Sequence, residues 1–142
     1  MQVETILQAK GRVVFTVEAG APLSEAVRLL NTHKIGAVVV VDAKGKVAGI
    51  LSERDIVRRL DKDPVALLAS PVRNAMTAKV ITTTSAATVS DLMEQMTRHR
   101  IRHIPIVDAG KLTGIVSIGD VVKRKIEETE QEATALKEYI AS

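Results

Sequence analysis

Two stretches of this 142-residue chain repeat one another, and this duplication restricts the possible folds more than any other feature of the sequence. A shift of 66 residues aligns Thr16 with Thr82, Ser24 with Ser90, His33 with His99 and Ile35 with Ile101. The second copy then lacks one turn residue, and from there a shift of 65 aligns the residues from Gly49 onward with those from Gly114 onward. Because turns tolerate deletions better than the elements they connect, this loss agrees with a true repeat. The chain is a tandem duplication of one unit.

Each copy has the same order of hydrophobic periodicities, which predicts the same order of strands and helices. The predicted strands are 13–17, 37–41 and 47–51 in the first copy, and 80–83, 104–107 and 112–116 in the second. The predicted helices are 23–30 and 53–60 in the first copy, and 89–96 and 119–141 in the second. The last two strands of each copy are separated by turn residues and should form hairpins. Each unit is therefore predicted to be β-α-β-β-α, which places the protein in the α+β class.

The repeat also divides the chain into parts. We expect residues 1–60 to form the first repeat with an N-terminal segment, and 73–142 the second repeat with an extended C-terminal helix. Between them, the linker 61–72 contains two prolines around an apolar stretch, which predicts a short helix. A unit of this size can bury only a small core by itself, so the two copies should pack together with approximate two-fold symmetry. Their interface would then form a cleft.

Composition removes several classes of function. The chain contains no cysteine, which excludes disulfides, thiolate zinc sites, iron–sulfur clusters and cysteine nucleophiles. Phe15 and Tyr139 are the only aromatic residues, too few to build a stacking platform for single-stranded nucleic acid. No apolar run is long enough to span a membrane. We therefore expect a soluble cytoplasmic protein that binds neither nucleic acid nor membrane.

Each copy carries the same motif where its third strand meets its second helix. The two motifs are Gly49-Ile50-Leu51-Ser52-Glu53-Arg54-Asp55 and Gly114-Ile115-Val116-Ser117-Ile118-Gly119-Asp120. One interpretation is a helix capping box, in which the serine is the N-cap and the aspartate bonds back to it. The other is a nucleotide site: a helix N-terminus attracts phosphate, aspartate can bind ribose hydroxyls, and glycine permits close backbone approach. The sequence leaves both interpretations open.

With these motifs in duplicate, the chain resembles the CBS domain family, as one pair of such domains, also called a Bateman module. The resemblance covers about residues 5–128. It rests on the duplicated unit, on both serine–aspartate motifs, on Ala75-Met76-Thr77 before a strand, and on His99-Arg100-Ile101-Arg102-His103-Ile104-Pro105-Ile106-Val107-Asp108. In that family the cleft between repeats binds adenosine-containing ligands, namely AMP, ADP, ATP, S-adenosylmethionine or NAD(H), and the pairs dimerise. The resemblance implies a homodimeric regulatory or sensor module without enzymatic activity, which requires no cofactor, binds an adenine nucleotide and acts on an unidentified protein target.

The resemblance also assigns nucleotide-binding residues by position. These residues are Gly36, Ala37, Ser52, Arg54, Asp55, Thr77, Val80, Ile101, Arg102, His103, Ser117 and Asp120. It implies that the two aspartates hold ribose hydroxyls and that the two serines contact ribose or phosphate. Thr77, Val80 and Ile101 would border the adenine, and Arg102 and His103 would contact phosphate.

The two copies differ at these positions. Gly36 and Ala37 stand in the first repeat where Arg102 and His103 stand in the second, while Arg54 adds a cation to the first motif alone. We therefore expect unequal sites, with the site centred on the second repeat better equipped. An alternative function is a structural or interaction module with vestigial nucleotide sites, in which the motifs only cap helices.

Two further features have simple predictions. His99 and His103 are four residues apart, but the repeat places the first at a helix end and the second at a strand start, so we expect no metal site. The last helix carries apolar Leu136 and Ile140 beyond the repeat, and we expect a partner chain to cover them.

Overall fold

The computed structural model describes residues 1–141 and has two related α+β units, so the predicted fold class is confirmed. The first unit contains β1 (Thr16–Glu18), α2 (Leu23–His33), β2 (Ala37–Val41), β3 (Val47–Ser52) and α3 (Glu53–Val57). The second contains α5 (Val89–His99), β4 (His103–Asp108), β5 (Lys111–Ser117) and α6 (Ile118–Ala141). Helix α1 (Val3–Lys10) precedes both units, and α4 (Pro64–Ala69) with a 3-10 turn at Val72–Asn74 connects them.

Both predicted hairpins are present. In the first unit β2 pairs antiparallel with β3 and parallel with β1, and in the second unit β4 pairs antiparallel with β5. The first hairpin turn is fixed by Asp42, whose Oδ1 accepts hydrogen bonds from the backbone N–H of Lys44 (2.9 Å) and of Lys46 (3.0 Å). One backbone hydrogen bond recurs in both units: Glu53 N–H donates to the Gly36 carbonyl (3.0 Å), and Ile118 N–H donates to the Arg102 carbonyl (2.8 Å).

The first strand of each copy and one helix are shorter than predicted. In place of a strand over 80–83, only Thr83 pairs with β4: its N–H donates to the Pro105 carbonyl (3.2 Å) and its carbonyl accepts from Val107 (2.8 Å). In the first copy the strand begins at Thr16, not at residue 13. Helix α3 ends at Val57, three residues earlier than predicted, and turns follow it. The β-branched runs at these positions indicated strand propensity, but a strand also needs a partner edge.

Helix α1 belongs to the core of the second unit, although it comes before the first unit in sequence. Its buried residues Val3, Ile6 and Leu7 lie in one apolar cluster with residues of α5, β4, β5 and α6. Its start is fixed by Val3 N–H, which donates to the Ala87 carbonyl (2.8 Å). The chain therefore crosses from one unit to the other before the first repeat begins. The repeat boundaries given above stay a prediction.

Each unit has its own apolar core. The first lies between α2, the inner face of its sheet and the 3-10 turn, and includes Leu23, Val38 and Leu51. The second lies between α1, α5 and the β4–β5 hairpin, and includes Leu92 and Ile104. The end of β3, where the serine and aspartate of the first motif lie, is left at the boundary between the units.

Candidate functional site

A cleft with a volume of about 640 Å³ lies between the two units. The first unit contributes the end of β3 and α3, and the second contributes two loop segments, 77–81 and 100–103. Nine of the residues that the resemblance assigned to nucleotide binding line this cleft: Gly36, Ser52, Arg54, Asp55, Thr77, Val80, Ile101, Arg102 and His103. A cavity of this size is in the range of small-molecule and cofactor sites.

The segment that begins with Thr77 reaches the cleft by pairing with the first unit. Ile50 N–H donates to the Thr77 carbonyl (3.0 Å), and Thr77 N–H donates to the Ile50 carbonyl (2.9 Å). Gly49 makes this crossing possible, because a Cβ there would lie 2.5 Å from Met76 Sδ and 2.9 Å from the Thr77 carbonyl oxygen. The close approach anticipated for this glycine is therefore made by the Met76 side chain and the Thr77 carbonyl, not by a phosphate.

The Ser52–Asp55 motif forms a capping box and also lines the cleft. Asp55 Oδ2 accepts hydrogen bonds from the backbone N–H (2.9 Å) and the hydroxyl (3.1 Å) of Ser52, and Ser52 Oγ accepts from Asp55 N–H at 3.4 Å. The capping interpretation is thus confirmed here. The capping box involves only one of the two carboxylate oxygens of Asp55. Within residues 1–141, the other oxygen, Oδ1, accepts no hydrogen bond.

Cations dominate the charged lining of the cleft. The cationic residues are Arg54, Arg58, Lys79, Arg100 and Arg102, against the carboxylates of Glu53 and Asp55. Arg100 is placed by a left-handed backbone conformation (φ 53°) that ends helix α5 and turns the chain toward β4. The excess of positive charge favours an anion in this cavity.

His103 lies at the start of β4, beside the first-unit backbone at Gly36. A Cβ on Gly36 would be 3.4 Å from His103 Nε2, so the glycine leaves room for the imidazole. Burial lowers the pKa of His103 below its ordinary value, and the Lys10 ammonium lowers it further, while the carboxylates of Asp120 and Glu53 act in the opposite direction. The imidazole is therefore neutral at pH 7 and can donate only one hydrogen bond.

The second serine–aspartate motif does not line this cleft. Asp120 Oδ2 accepts from Ser117 N–H (2.8 Å), Ser117 Oγ accepts from Asp120 N–H (3.2 Å), and Lys10 Nζ bonds to the same Oδ2 at 2.7 Å. Partial burial alone would raise the pKa of Asp120, but the hydrogen bonds from Lys10 and Ser117 hold it below its ordinary value. The same Lys10 ammonium donates to the Ile115 carbonyl at 2.8 Å. This motif is thus a capping box with its aspartate already paired.

The sequence analysis assigned one nucleotide site to each repeat. In the structure, residues of both repeats line the same cleft. Arg102 and His103 of the second repeat lie with Ser52 and Asp55 of the first, and Asp120 is outside the lining of their cleft although its charge acts on His103. Ala37 lies in β2 and is buried in the first unit, outside that lining. The reason is the crossing at Thr77, which brings the second unit's loops over the first unit's β3.

Several lining residues were missed by the sequence analysis. Lys79 and Ile81 flank the predicted Val80, and Arg100 adjoins the predicted Ile101, so their proximity in sequence was a usable signal. Arg58 lies one turn after Arg54 on the same side of the chain, which periodicity could have suggested. No signal marked Lys10, because its contact with Asp120 joins residues that are 110 positions apart.

Among residues 1–141, no cluster of three or more histidine, aspartate or glutamate side chains has the arrangement of a metal site. Within the same residues, no helix has both the length and the apolar character that crossing a bilayer requires.

Fold and cleft together define a duplicated α+β module with a cleft that both halves line. A family model of the CBS domain matches residues 11–62 and again 72–127, and the chain belongs to this family. Stand-alone pairs of these domains are generally regulatory and not catalytic.

Known proteins resemble the chain over most of its length. It is 38% identical over 120 residues to the mitochondrial CBS domain-containing protein CBSX3 of Arabidopsis thaliana, a match that covers 82% of this chain and 58% of the relative. The crystal structure of the CBS-domain protein ATU1752 of Agrobacterium tumefaciens has 46% identity and a TM-score of 0.83, covering 87% of this chain and 92% of that one. The CBS domain pair of protein MJ0100, solved with 5-methylthioadenosine and S-adenosyl-L-methionine, has 26% identity and a TM-score of 0.80, covering 90% and 98%.

Proposed function

We propose that the protein is a regulatory module that binds an adenosine-containing nucleotide, AMP, ADP, ATP or NAD(H), in the cleft between its units. One observation supports this proposal: apolar, carboxylate and cationic side chains line the same cavity of about 640 Å³. Val80 and Ile101 supply aliphatic surface for a base, and Asp55 supplies a carboxylate oxygen that the helix cap leaves free. Arg102 supplies charge for phosphate.

The charge of the cavity selects among adenosine compounds. MJ0100 was solved with a neutral thioether and a sulfonium ligand, but five lysine or arginine side chains line the cleft here against two carboxylates. A phosphate-bearing ligand offsets that excess, whereas a sulfonium adds to it. We therefore expect nucleotides to bind more tightly than S-adenosylmethionine.

Regulation follows from the position of the cleft between the units. A ligand that contacts α3 of one unit and the 100–103 loop of the other stabilises one mutual orientation, and a protein target can respond to that difference. In this proposal the module is a cytoplasmic homodimer, it has no catalytic step, and its target is another protein.

Calorimetric titration with AMP, ADP, ATP, NAD, NADH and S-adenosylmethionine tests the function directly, on protein checked to be free of carried-over nucleotide. Micromolar binding of a nucleotide is the expected result. A folded protein that binds none of them would favour the alternative, an interaction module whose serine–aspartate motifs act only as helix caps.

A matched pair of variants tests the site assignment. Asp55→Asn keeps one oxygen for the Ser52 N–H but removes the charge that would hold ribose hydroxyls. A charged hydrogen bond contributes about 1.5 to 3 kcal/mol, so nucleotide affinity should fall about 10- to 100-fold. Asp120→Asn makes the same change in the other capping box, outside the cleft, and should leave this affinity within about twofold.

The comparison is decisive because the two variants disturb similar helix caps. Equal affinity losses in both would place the ligand outside the cleft, or in contact with both motifs. Unchanged affinity in Asp55→Asn would contradict the ribose role of Asp55.

A further inference from the structure

Within residues 1–141, no residue of helix α6 after Val121 belongs to either apolar core. Residues 129–141 are helical and all of them are exposed. They lie beyond residue 127, where the match to the CBS family ends. A helix segment of this length is marginal in water without packing, and Glu128 and Glu132, four residues apart, repel each other. Its helical state therefore calls for a partner surface.

The apolar residues of α6 follow the spacing of a coiled coil. They alternate at intervals of four and three residues: Val122, Ile126, Ala133, Leu136 and Ile140, with Thr129 in the remaining position. The four large ones are between 49% and 74% exposed. A repeat of 3.5 residues is the pattern with which one helix packs along another over several turns.

The charges beside this stripe distinguish between the possible arrangements of two such helices. In a parallel, in-register pair, Lys125 would face Glu130 of the partner subunit, and Glu132 would face Lys137 of the partner subunit. An antiparallel pair with full overlap of the apolar residues would instead place Glu130 against Glu130 of the partner subunit, and Glu132 against Glu132 of the partner subunit. Opposite charges therefore meet only in the first of these two arrangements.

We propose that the C-terminal part of α6 forms a parallel, in-register two-stranded coiled coil with a second copy of this chain. Ile126, Leu136 and Ile140 form the apolar contact, and the lysine and glutamate pairs fix the direction and register. The pairing extends the homodimer proposed above and gives it a specific surface. The coiled coil uses no residue that lines the cleft. A failed nucleotide titration would therefore leave the coiled coil untouched, and a failed test of the coiled coil would leave nucleotide binding untouched.

The absence of cysteine from the chain permits a direct test by single-cysteine cross-linking. Leu136→Cys places a thiol in the apolar contact between the two helices, which we call the seam. There the two copies of residue 136 would face each other at disulfide distance. The matched control is Glu138→Cys, which lies on the outer side of the same turn and is equally open to solvent. Under mild oxidation at about 10 µM protein, an effective concentration in the millimolar range predicts cross-linking about 100-fold faster at residue 136 than at residue 138.

Equal rates at the two positions would overturn the proposal, since they would show collision or an arrangement without this seam. A charge reversal gives a second measurement in the Leu136→Cys background. Glu132→Lys should slow cross-linking by repelling Lys137 of the partner subunit, and adding Lys137→Glu should restore the rate. Slowing by both changes without restoration would contradict the parallel register.

Discussion

His103 lies where the two units meet, and four charged groups surround its imidazole. Burial and the Lys10 ammonium, with a smaller contribution from Arg102, lower its pKa, while Asp120 and Glu53 oppose them. The folded chain therefore binds a proton at His103 less readily than the unfolded chain, whose histidine has a pKa of about 6.5. Between these two pKa values the unfolded state binds more protons, so stability is lost as the pH falls below about 6.5.

His103→Gln should remove this acid sensitivity. The contribution of His103 is complete above about pH 6.5 and falls by up to about 1.4 kcal/mol for each unit between the two pKa values. Urea unfolding of both proteins at about pH 7.5 and about pH 5.5 measures it, and the variant should lose less stability on acidification. An equal loss in both would show that the imidazole is not held neutral by its surroundings.

At the scale of the elements, α1 has the largest effect on how the units are built. Leu7 is fully buried and lies over β5, where a Cβ on Gly114 would come within 2.6 Å of its Cδ2 atom. The glycine of the second motif therefore accommodates a leucine of α1, whereas the glycine of the first accommodates the Met76 side chain and the Thr77 carbonyl. Equivalent positions in the repeat thus accept different neighbours.

Leu7→Ala should destabilise the protein by about 2 to 5 kcal/mol, because it removes buried contacts and leaves a cavity in the second core. Val65→Ala, in the exposed part of α4, should change stability by less than about 0.5 kcal/mol. Denaturant unfolding of both variants measures the difference. A loss of less than about 1 kcal/mol for Leu7→Ala would contradict the docking of α1 on the second unit.

At the scale of the whole molecule, two carbonyls that match in the repeat accept hydrogen bonds from different donors. In the first half, the Ile50 carbonyl accepts from Thr77 N–H at 2.9 Å. In the second half, the matching Ile115 carbonyl accepts from the Lys10 ammonium at 2.8 Å, and this ammonium also pairs with Asp120. The molecule therefore has one motif aspartate, Asp55, in the lining of its cleft and another, Asp120, that is already paired with Lys10.

We accordingly expect the parent protein to bind one nucleotide per chain, and Lys10→Met to bind a second, weaker one. Methionine keeps the apolar stem of the side chain but frees the carboxylate of Asp120. Calorimetric stoichiometry checks the expectation, and adding Asp120→Asn should abolish the second event. The same variant should raise the pKa of His103 in an NMR titration, because Lys10 lowers it. If the stoichiometry stays at one while that pKa rises, Lys10 does not limit the second motif.

Much of this architecture could be predicted from the sequence. The duplication predicted two β-α-β-β-α units, and the hairpin β2–β3 and helix α2 start where their periodicities begin. The serine three residues before an aspartate offered a capping box as one of two interpretations, and both capping boxes are present. These features depend on residues close in sequence, where propensity, side-chain period and hydrogen bonding act together.

The composition of the site depended on contacts that no local pattern contains. The sequence alone determined that a serine–aspartate motif occurs twice and that a basic stretch precedes β4. Only the tertiary structure decided that this basic stretch lines one cleft together with Asp55, that Asp120 lies outside that lining, and that Lys10 reaches Asp120 across 110 residues. The physical reason is the docking of the units: α1 and the Thr77 segment each cross to the other half, and such crossings depend on how two separate cores fit together.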